Sequence, residues 1–264
     1  MSLDDAYANH LHIDNADSYP PRWAEMAAAF RDRLTAEGRA QLGIPYGPTE
    51  RQACDIFTPE GPAQGLVIFV HGGYWRRFDR SFWSHLAAGP LAHGWSVAMP
   101  SYDLCPEVRI ADITGQIARA VEMLAARMPG PIALGGHSAG GHLVARMLDP
   151  GLLSETTAAR IARATPISPV SDLRPLLQTA MNDTSFHMTP AEAASESPAM
   201  MARRHAVPVT VWVGADELPA FLDQARWLSE AWSCPLHIET GTHHFDVIDG
   251  LAHPDSALVA DMLP

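Results

Sequence analysis

The five residues Gly136-His137-Ser138-Ala139-Gly140 match the pattern G-x-S-x-G, which holds a serine in a sharp turn between a strand and a helix. An apolar run precedes the motif and small residues follow it, so both flanking elements are expected. The turn strains the serine backbone and requires glycine two positions before and two positions after the serine. We therefore predict Ser138 as a nucleophile, and an incidental serine in a glycine-rich turn is the weaker interpretation.

A second glycine-rich segment, His71-Gly72-Gly73-Tyr74-Trp75, directly follows an apolar run. Glycines let the backbone bend until amides, rather than side chains, face a substrate oxygen. The amide of Gly73 or of Tyr74 is the expected partner of the amide that opens the helix after the serine. The predicted oxyanion hole comprises Gly72, Gly73, Tyr74 and Ala139. His71 closes a buried strand, and we expect it to fix this loop by hydrogen bonding.

An acid and a base should follow the nucleophile in the chain order serine, carboxylate, histidine. Asp216 comes directly after an apolar run at residues 208–214, with Glu217 as its adjacent competitor. A short carboxylate suits the turn at the end of a strand, so we predict Asp216 as the orienting acid. His244 stands in a loop that leads into the last helix, and we prefer it to His243 as general base.

These roles describe acyl transfer. His244 would remove the proton of Ser138 as the oxygen attacks a carbonyl carbon, and Asp216 would stabilise the imidazolium. Water would then hydrolyse the acyl-enzyme. The motif HExxH is absent, and the paired histidines have no supporting ligand pattern, so we expect neither a metal nor a cofactor.

The composition excludes several other classes of protein. The net charge is -12 and all 18 cations are arginines, which disfavours nucleic acid and acidic membranes as partners. The absence of lysine rules out Schiff-base chemistry and a P-loop. The three cysteines are far apart, the first twenty residues lack an apolar stretch, and no run could span a bilayer, so we expect a cytoplasmic protein.

The elements that must hold these residues are strands alternating with helices. Apolar runs occur at residues 65–73, 95–99, 131–135, 164–168 and 208–214, and helical patterns at 22–40, 108–128 and 142–148. This alternation predicts a mostly parallel sheet with helices on both faces, with the site at the carboxyl ends of the strands. We expect one domain over residues 1–264, with an N-terminal helical appendage at 1–50 and a cap or lid at 172–205.

Several segments together resemble a known family. HGGYW, SYDLCPE, GGHSAGGHL, VGADELPAFLDQA and THHFDVI are similar to the bacterial kynurenine formamidase branch of the α/β-hydrolases, near the hormone-sensitive-lipase-like esterases. The resemblance covers about residues 50 to 250. It implies the α/β-hydrolase fold and places Ser138, Asp216 and His244 in the family triad. HGGYW in place of the lipase-like HGGG favours the formamidase side.

The substrate remains open at this level among three alternatives. The first is hydrolysis of a small acyl group, formyl or acetyl, from an aromatic amine or alcohol, with Trp75 and Phe186 in the pocket. Tyr74 and Phe78 are further candidates, whereas Trp83 and Trp212 are more readily explained as large aromatics that fill the core. Arg76 or Arg77 could bind a substrate carboxylate. The second alternative is a broad carboxylesterase or thioesterase, and the third is a non-catalytic binding protein. The partner we expect is a small-molecule acyl substrate, and the apolar N-terminal helix could serve a homodimer.

Overall fold

The structure is a computed structural model that describes residues 2–202 and 204–264. These residues form eight strands: β1 Ala40–Pro45, β2 Ala53–Phe57, β3 Leu66–Val70, β4 Ser96–Pro100, β5 Ile132–His137, β6 Ile161–Ile167, β7 Val211–Gly214 and β8 Leu236–Glu239. The helices are α1 Leu3–Ala6, α2 Asn9–His12, α3 Tyr19–Ala36, α4 Ala88–Ala92, α5 Ile110–Arg127, α6 Ala139–Arg146, α7 Glu155–Ala158, α8 Pro190–Ser195, α9 Pro219–Trp232 and α10 Ala257–Met262.

All eight strands form one sheet in the order β1-β2-β4-β3-β5-β6-β7-β8. β1 pairs antiparallel with β2, and β2 pairs antiparallel with β4, whereas the remaining pairs are parallel. The carboxyl ends of β3, β5, β7 and β8 therefore lie along one edge of the sheet. The loops that leave these ends carry the predicted site residues, as expected for a parallel sheet with a site at this edge.

Two hydrophobic clusters cover the two faces of the sheet. One joins buried side chains of α5, α6 and α9 to the strands, including Val121, Leu143 and Phe221. The other joins α3 and α10 to the opposite face, through residues such as Phe30 and Val259. Burial on both faces explains why the central strands are continuous apolar runs rather than alternating ones.

The predicted mostly parallel sheet with helices on both faces is confirmed, and five predicted runs correspond to β3, β4, β5, β6 and β7. The predicted N-terminal appendage at 1–50 is wrong as a purely helical unit, because β1 belongs to the sheet. β1 is mostly exposed and lies at the sheet edge, so it lacks the apolar run that marks a buried strand. In the described part of the chain, no helix is long and apolar enough to cross a bilayer.

Candidate active site

Ser138 lies in the turn between β5 and α6 in a backbone conformation that residues other than glycine rarely adopt. Its φ is 56° and its ψ is -116°, and only 2% of the residue is exposed. The amide of Ser138 donates to the carbonyl of Ile167 over 2.8 Å, and its own carbonyl accepts from the amide of His142 over 3.0 Å. The flanking strand and helix thus hold the strained turn predicted from the motif.

The two glycines of the motif are required by close backbone approaches. A Cβ at Gly136 would lie 2.3 Å from the carbonyl oxygen of Gly140. A Cβ at Gly140 would lie 1.9 Å from the carbonyl oxygen of Val70, at the end of β3. Any side chain at either position would collide with backbone, so the spacing of the motif follows from how tightly α6 packs over the strand ends.

The predicted base, His244, is buried in the loop after β8 and is paired with a carboxylate. Only 3% of the residue is exposed. Its Nδ1 lies 2.6 Å from Oε2 of Glu217. A carboxylate can only accept, so Nδ1 carries the proton and Nε2 of the same ring is free to accept one. This tautomer is the one that a general base acting on a serine hydroxyl requires.

The prediction of Asp216 as the orienting acid is wrong, because Glu217 is the residue that contacts His244. The amide of Asp216 donates to the carbonyl of Thr242 over 2.9 Å, and its side chain is exposed. The turn after β7 therefore directs residue 216 to solvent and residue 217 back toward the strand end. The longer side chain of Glu217 reaches Nδ1 of His244, the contact that was expected of the shorter Asp216.

Glu217 is held by donors other than the histidine. Its Oε1 accepts from the amide of Gly214 over 3.0 Å and from the hydroxyl of Ser168 in a short hydrogen bond. The residue is 6% exposed. Hydrogen bonds to both oxygens fix the orientation of the carboxylate. The side chain of Glu217 is therefore oriented from three sides, by the end of β7, by the loop after β6 and by His244.

The loop after β3 brings backbone rather than side chains to the serine. Gly73, Tyr74 and Trp75 have positive φ values of 113°, 52° and 53°. The carbonyl of Gly73 accepts from the amides of Arg76 and Arg77 over 3.0 Å each, which closes the loop. A tight loop of this kind leaves the amides near its apex available to a ligand.

Three of the four predicted oxyanion residues, Gly72, Gly73 and Tyr74, line one cavity together with Ser138 and His244. The fourth, Ala139, is the first residue of α6, so its amide has no acceptor within the helix. The hydroxyl of Tyr74 points away and donates to the carbonyl of Tyr7 over 2.6 Å. Burial raises the pKa of Tyr74 well above 10, which keeps this hydroxyl a donor.

His71 has the structural role that the sequence indicates. Its Nδ1 lies 2.7 Å from the carbonyl oxygen of Gly72, and its ring stacks on Tyr102 with the centroids 4.4 Å apart. The Tyr102 hydroxyl donates to the His71 carbonyl over 2.9 Å. Burial lowers the pKa of His71 to about 4, so the ring is neutral at pH 7. His71 fixes the loop and does not line the cavity.

The cavity above Ser138 has a volume of about 110 Å³, and aromatic rings form part of its wall. Trp23, Phe78, Trp83 and Phe245 contribute to the wall. The rings of Trp23 and Trp83 lie 4.8 Å apart, and those of Phe78 and Trp83 meet edge to face at 5.8 Å. Mutual packing of this kind makes the wall rigid and suits a flat apolar group.

Neither of the two predicted pocket residues, Trp75 and Phe186, lines this cavity. Both are fully buried in the hydrophobic core, where their rings meet edge to face at 5.6 Å. Trp212 also lies elsewhere, stacked on His237 with the centroids 3.7 Å apart. The prediction of Trp75 and Phe186 as pocket residues is therefore wrong, because the loop turns residue 75 inward after Tyr74. Phe78 and Trp83 supply the aromatic surface instead.

The cover of the cavity comes from the N-terminal segment, which we define as residues 7–23. Six of its residues line the cavity: Asn9, His10, Ala16, Asp17, Pro20 and Trp23. None of the lining residues belongs to the predicted cap at 172–205, of which residue 203 lies outside the described part of the chain. The segment 172–205 instead packs over α9 and α6, with Trp232 donating to the carbonyl of Pro198 over 3.1 Å. The sequence pattern did not predict that the N-terminal segment, rather than 172–205, contributes to the site.

Two residues of opposite charge, Arg77 and Asp17, line the cavity. Arg77 lines the cavity and its guanidinium lies 5.2 Å from the ring centroid of Phe78. Asp17 lines it from the N-terminal segment. Arg76 points away and donates to the hydroxyl of Ser185 over 3.1 Å. Of the two arginines considered for a substrate carboxylate, only Arg77 is placed to meet one.

His137, beside the nucleophile, also faces the cavity. Its ring lies 4.7 Å from that of His244, centroid to centroid. Burial, together with the nearby His244, lowers the pKa of His137 well below 6.5. The ring is therefore neutral and adds no positive charge beside the base. In the described part of the chain, no group of three or more His, Cys, Asp or Glu side chains is arranged to hold a metal.

The sheet, the strained serine and the paired histidine together define an enzyme class. Residues 67–216 match the family model for the alpha/beta hydrolase fold, and the chain belongs to this family of hydrolases. It is 57% identical to a candidate thioesterase from Silicibacter sp. tm1040 of known crystal structure, with a TM-score of 0.97 and 99% of each chain covered.

Two other comparisons relate the chain to proteins with named activities. It is 29% identical over 246 residues to the kynurenine formamidase of Salmo salar, covering 86% of this chain and 83% of that enzyme. It also resembles esterase B from Lactobacillus rhamnosis at 17% identity, with a TM-score of 0.69, covering 93% of this chain and 91% of that one. The last similarity concerns the fold alone.

Proposed function

We propose that the protein is a serine hydrolase that removes a small acyl group from an aryl amine, an arylformamidase-like activity. The observation that carries the proposal is the cavity shared by Ser138 and His244, whose wall includes the aromatic rings of Trp23, Phe78, Trp83 and Phe245. The similarity to kynurenine formamidases over most of the chain supports the same substrate class.

In the proposed mechanism, Ser138 is the nucleophile, His244 the general base and Glu217 the acid that orients the histidine. Nε2 of His244 takes the serine proton as the oxygen attacks the carbonyl carbon, and Glu217 stabilises the imidazolium. The amides of Gly73 or Tyr74 and of Ala139 stabilise the tetrahedral oxyanion.

The second half of the cycle releases the two products. The imidazolium of His244 protonates the nitrogen of the leaving amine, and the carbon-nitrogen bond breaks to leave an acyl group on Ser138. Water then attacks the acyl carbon with His244 again as base, and the carboxylic acid leaves. A formyl group is the smallest acyl group, so it needs the least space beside the loop after β3, which we call the oxyanion loop.

The walls of the cavity match the aryl leaving group. Trp23, Phe78, Trp83 and Phe245 offer ring faces and edges, which favour an aromatic ring by burial and by edge-to-face contact. Arg77 supplies a cation at the same wall for a substrate carboxylate. An aryl formamide whose ring carries a substituent ending in a carboxylate matches both the aromatic wall and Arg77.

A short-chain thioesterase activity is the second candidate. One observation favours it: the candidate thioesterase from Silicibacter is 57% identical over nearly the whole chain. The same Ser138, His244 and Glu217 would cleave a thioester, and the thiolate would leave without needing a proton. An aromatic wall with a single cation gives this candidate less support than an aryl amide.

The test is turnover by the purified protein of three substrates: N-formylkynurenine, p-nitrophenyl acetate and acetyl-coenzyme A. The proposal predicts kcat/KM of at least about 10⁴ M⁻¹s⁻¹ for N-formylkynurenine, the highest of the three. Ser138→Ala should abolish nearly all turnover and serves as the blank. A higher kcat/KM for the thioester or the ester would contradict the formamidase assignment and keep the mechanism.

A further inference from the structure

Asn9 is a polar residue in the cavity wall whose side-chain nitrogen, Nδ2, has no hydrogen-bond partner within residues 2–202 and 204–264. It is 4% exposed and shares the cavity with Ser138 and His244. Its Nδ2 is fully buried and makes no hydrogen bond to any of the described residues. A buried amide group without a partner destabilises the fold, because it has lost water and gained nothing in return. Such a group is suited to receive a ligand.

The position of Asn9 is fixed by the anchored residue two positions before it. The carbonyl of Tyr7 accepts from the hydroxyl of Tyr74 over 2.6 Å, and the hydroxyl of Tyr7 accepts from Nε2 of Gln224 over 2.8 Å. The ring of Tyr7 meets that of Phe221 edge to face at 5.8 Å. Phe221 in turn lies 4.2 Å from the ring of His244. The start of the N-terminal segment is thereby attached to both the oxyanion loop and the base.

The other end of the N-terminal segment is attached as well. The hydroxyl of Tyr19 lies 3.0 Å from Nε2 of His243, next to the base in the chain. The ring of Trp23 packs on Trp83 at 4.8 Å. With both ends held, the segment places Asn9 on the cavity without freedom to drift, which is the preorganisation that a binding group needs.

We propose that Asn9 determines specificity by donating a hydrogen bond from Nδ2 to a neutral carbonyl oxygen on the aryl leaving group. The proposal rests on the proposed arylformamidase activity, and in N-formylkynurenine the acceptor is the ketone beside the formamide on the ring. A neutral amide donor matches a neutral carbonyl, whereas a guanidinium such as that of Arg77 pairs best with a carboxylate. The bond satisfies the buried Nδ2 only when such a substrate is bound.

The test compares Asn9→Ala with Leu11→Ala on two substrates. N-formylkynurenine carries the ring ketone, and phenyl acetate has an aryl leaving group without it. Leu11 lies on the same short helix α2, is 66% exposed and does not line the cavity, so it is the matched control. We expect Asn9→Ala to lower kcat/KM for N-formylkynurenine by about 5- to 20-fold. The value for phenyl acetate should change less than about twofold, and Leu11→Ala should change neither.

A structural role for Asn9 would give a different stability result. Removal of an unpartnered buried amide should leave the urea midpoint of unfolding unchanged or higher, and alanine also favours the helix. A lower midpoint with equal losses on both substrates would show a structural role and overturn the proposal, as would unchanged kinetics. If the wild-type protein cleaves phenyl acetate but not N-formylkynurenine, the proposed function fails, and the Asn9 proposal fails with it.

Discussion

At the scale of single residues, the carboxylate that contacts His244 shows what a sequence pattern decides and what it leaves open. Ser138 and the two glycines of its turn are predictable, because backbone collisions permit little else at those positions. Asp216 and Glu217 are adjacent carboxylates in one turn, and the sequence cannot tell which one points inward. The hydrogen bonds of Glu217 to Gly214, Ser168 and His244 settle the choice.

The adjacent carboxylates provide a matched pair of variants. Glu217→Gln keeps the size of the side chain but removes the charge that stabilises the imidazolium and fixes the tautomer, so kcat should fall by about 10³- to 10⁴-fold. Asp216→Asn alters an exposed side chain of the same turn, and kcat should stay within about twofold. Steady-state kinetics on the best substrate measures both. The reverse order of losses would restore Asp216 as the acid.

At the scale of elements, the N-terminal segment is the part of the site that the sequence analysis missed. Its residues carry no motif for acyl transfer, and α1 and α2 have only four residues each. Long-range contacts create its role, since Tyr7 meets Tyr74 across 67 residues and Tyr19 meets His243 across 224. The irregular composition of 172–205 suggested a cap, but this stretch packs beside α9 rather than over the cavity.

The bond between Tyr74 and Tyr7 can be tested as an anchor of the N-terminal segment. Tyr74→Phe removes one hydrogen bond to a buried carbonyl, which is worth about 0.5 to 1.5 kcal/mol. The segment should open more often, and amide hydrogen exchange at Leu11, Ala16 and Ser18 should speed up by about 2- to 10-fold. These amides donate to carbonyls within the segment and so report on its opening.

Tyr46→Phe is the matched control for this anchor. The hydroxyl of Tyr46 also donates to a backbone carbonyl, that of Ser101, but it does not line the cavity. Exchange at residues 11, 16 and 18 should be unaffected by this variant, although the global stability falls by a similar amount. Equal acceleration in both variants would mean that the segment opens only by global unfolding and that the Tyr74 bond is not a local anchor.

At the scale of the whole molecule, the sheet with helices on both faces can be predicted from the sequence. The loss of the protein's stability in acid cannot be predicted in this way. The central strands are continuous apolar runs because both faces are buried, so β3 to β7 could be located from composition. β1 and β2 form an antiparallel extension at the edge, and the exposed pattern of β1 resembles a loop. Besides His244, four histidines of the described residues are buried in this interior: His71, His85, His137 and His142.

Burial lowers the pKa of all four histidines, to about 4 for His71 and His85, to about 3 for His142 and well below 6.5 for His137. In the unfolded chain each has a pKa near its ordinary value, so protons bind the unfolded state more strongly. The stability is therefore fully present above about pH 6.5 and falls as the pH drops toward 4, by about 1.4 kcal/mol per pH unit for each histidine.

Urea unfolding at pH 7 and pH 5 measures this acid sensitivity. The wild-type protein should lose several kcal/mol of unfolding free energy, about 2 kcal/mol for each of His71, His85 and His142. In His85→Gln the loss between the two pH values should be smaller by about 2 kcal/mol, whatever the absolute stability of the variant. A pH dependence identical to that of the wild type would show that His85 does not remain neutral in the folded protein.

The central claim is that Ser138 is an activated nucleophile in this cavity, and covalent labelling tests it most directly. A fluorophosphonate phosphonylates a serine, with loss of fluoride, only when a base and an oxyanion site activate the serine. Mass spectrometry of the treated wild-type protein should show a single adduct, on the peptide that contains Ser138, and none in Ser138→Ala. An unlabelled wild-type protein, or an adduct that persists in Ser138→Ala, would contradict the account.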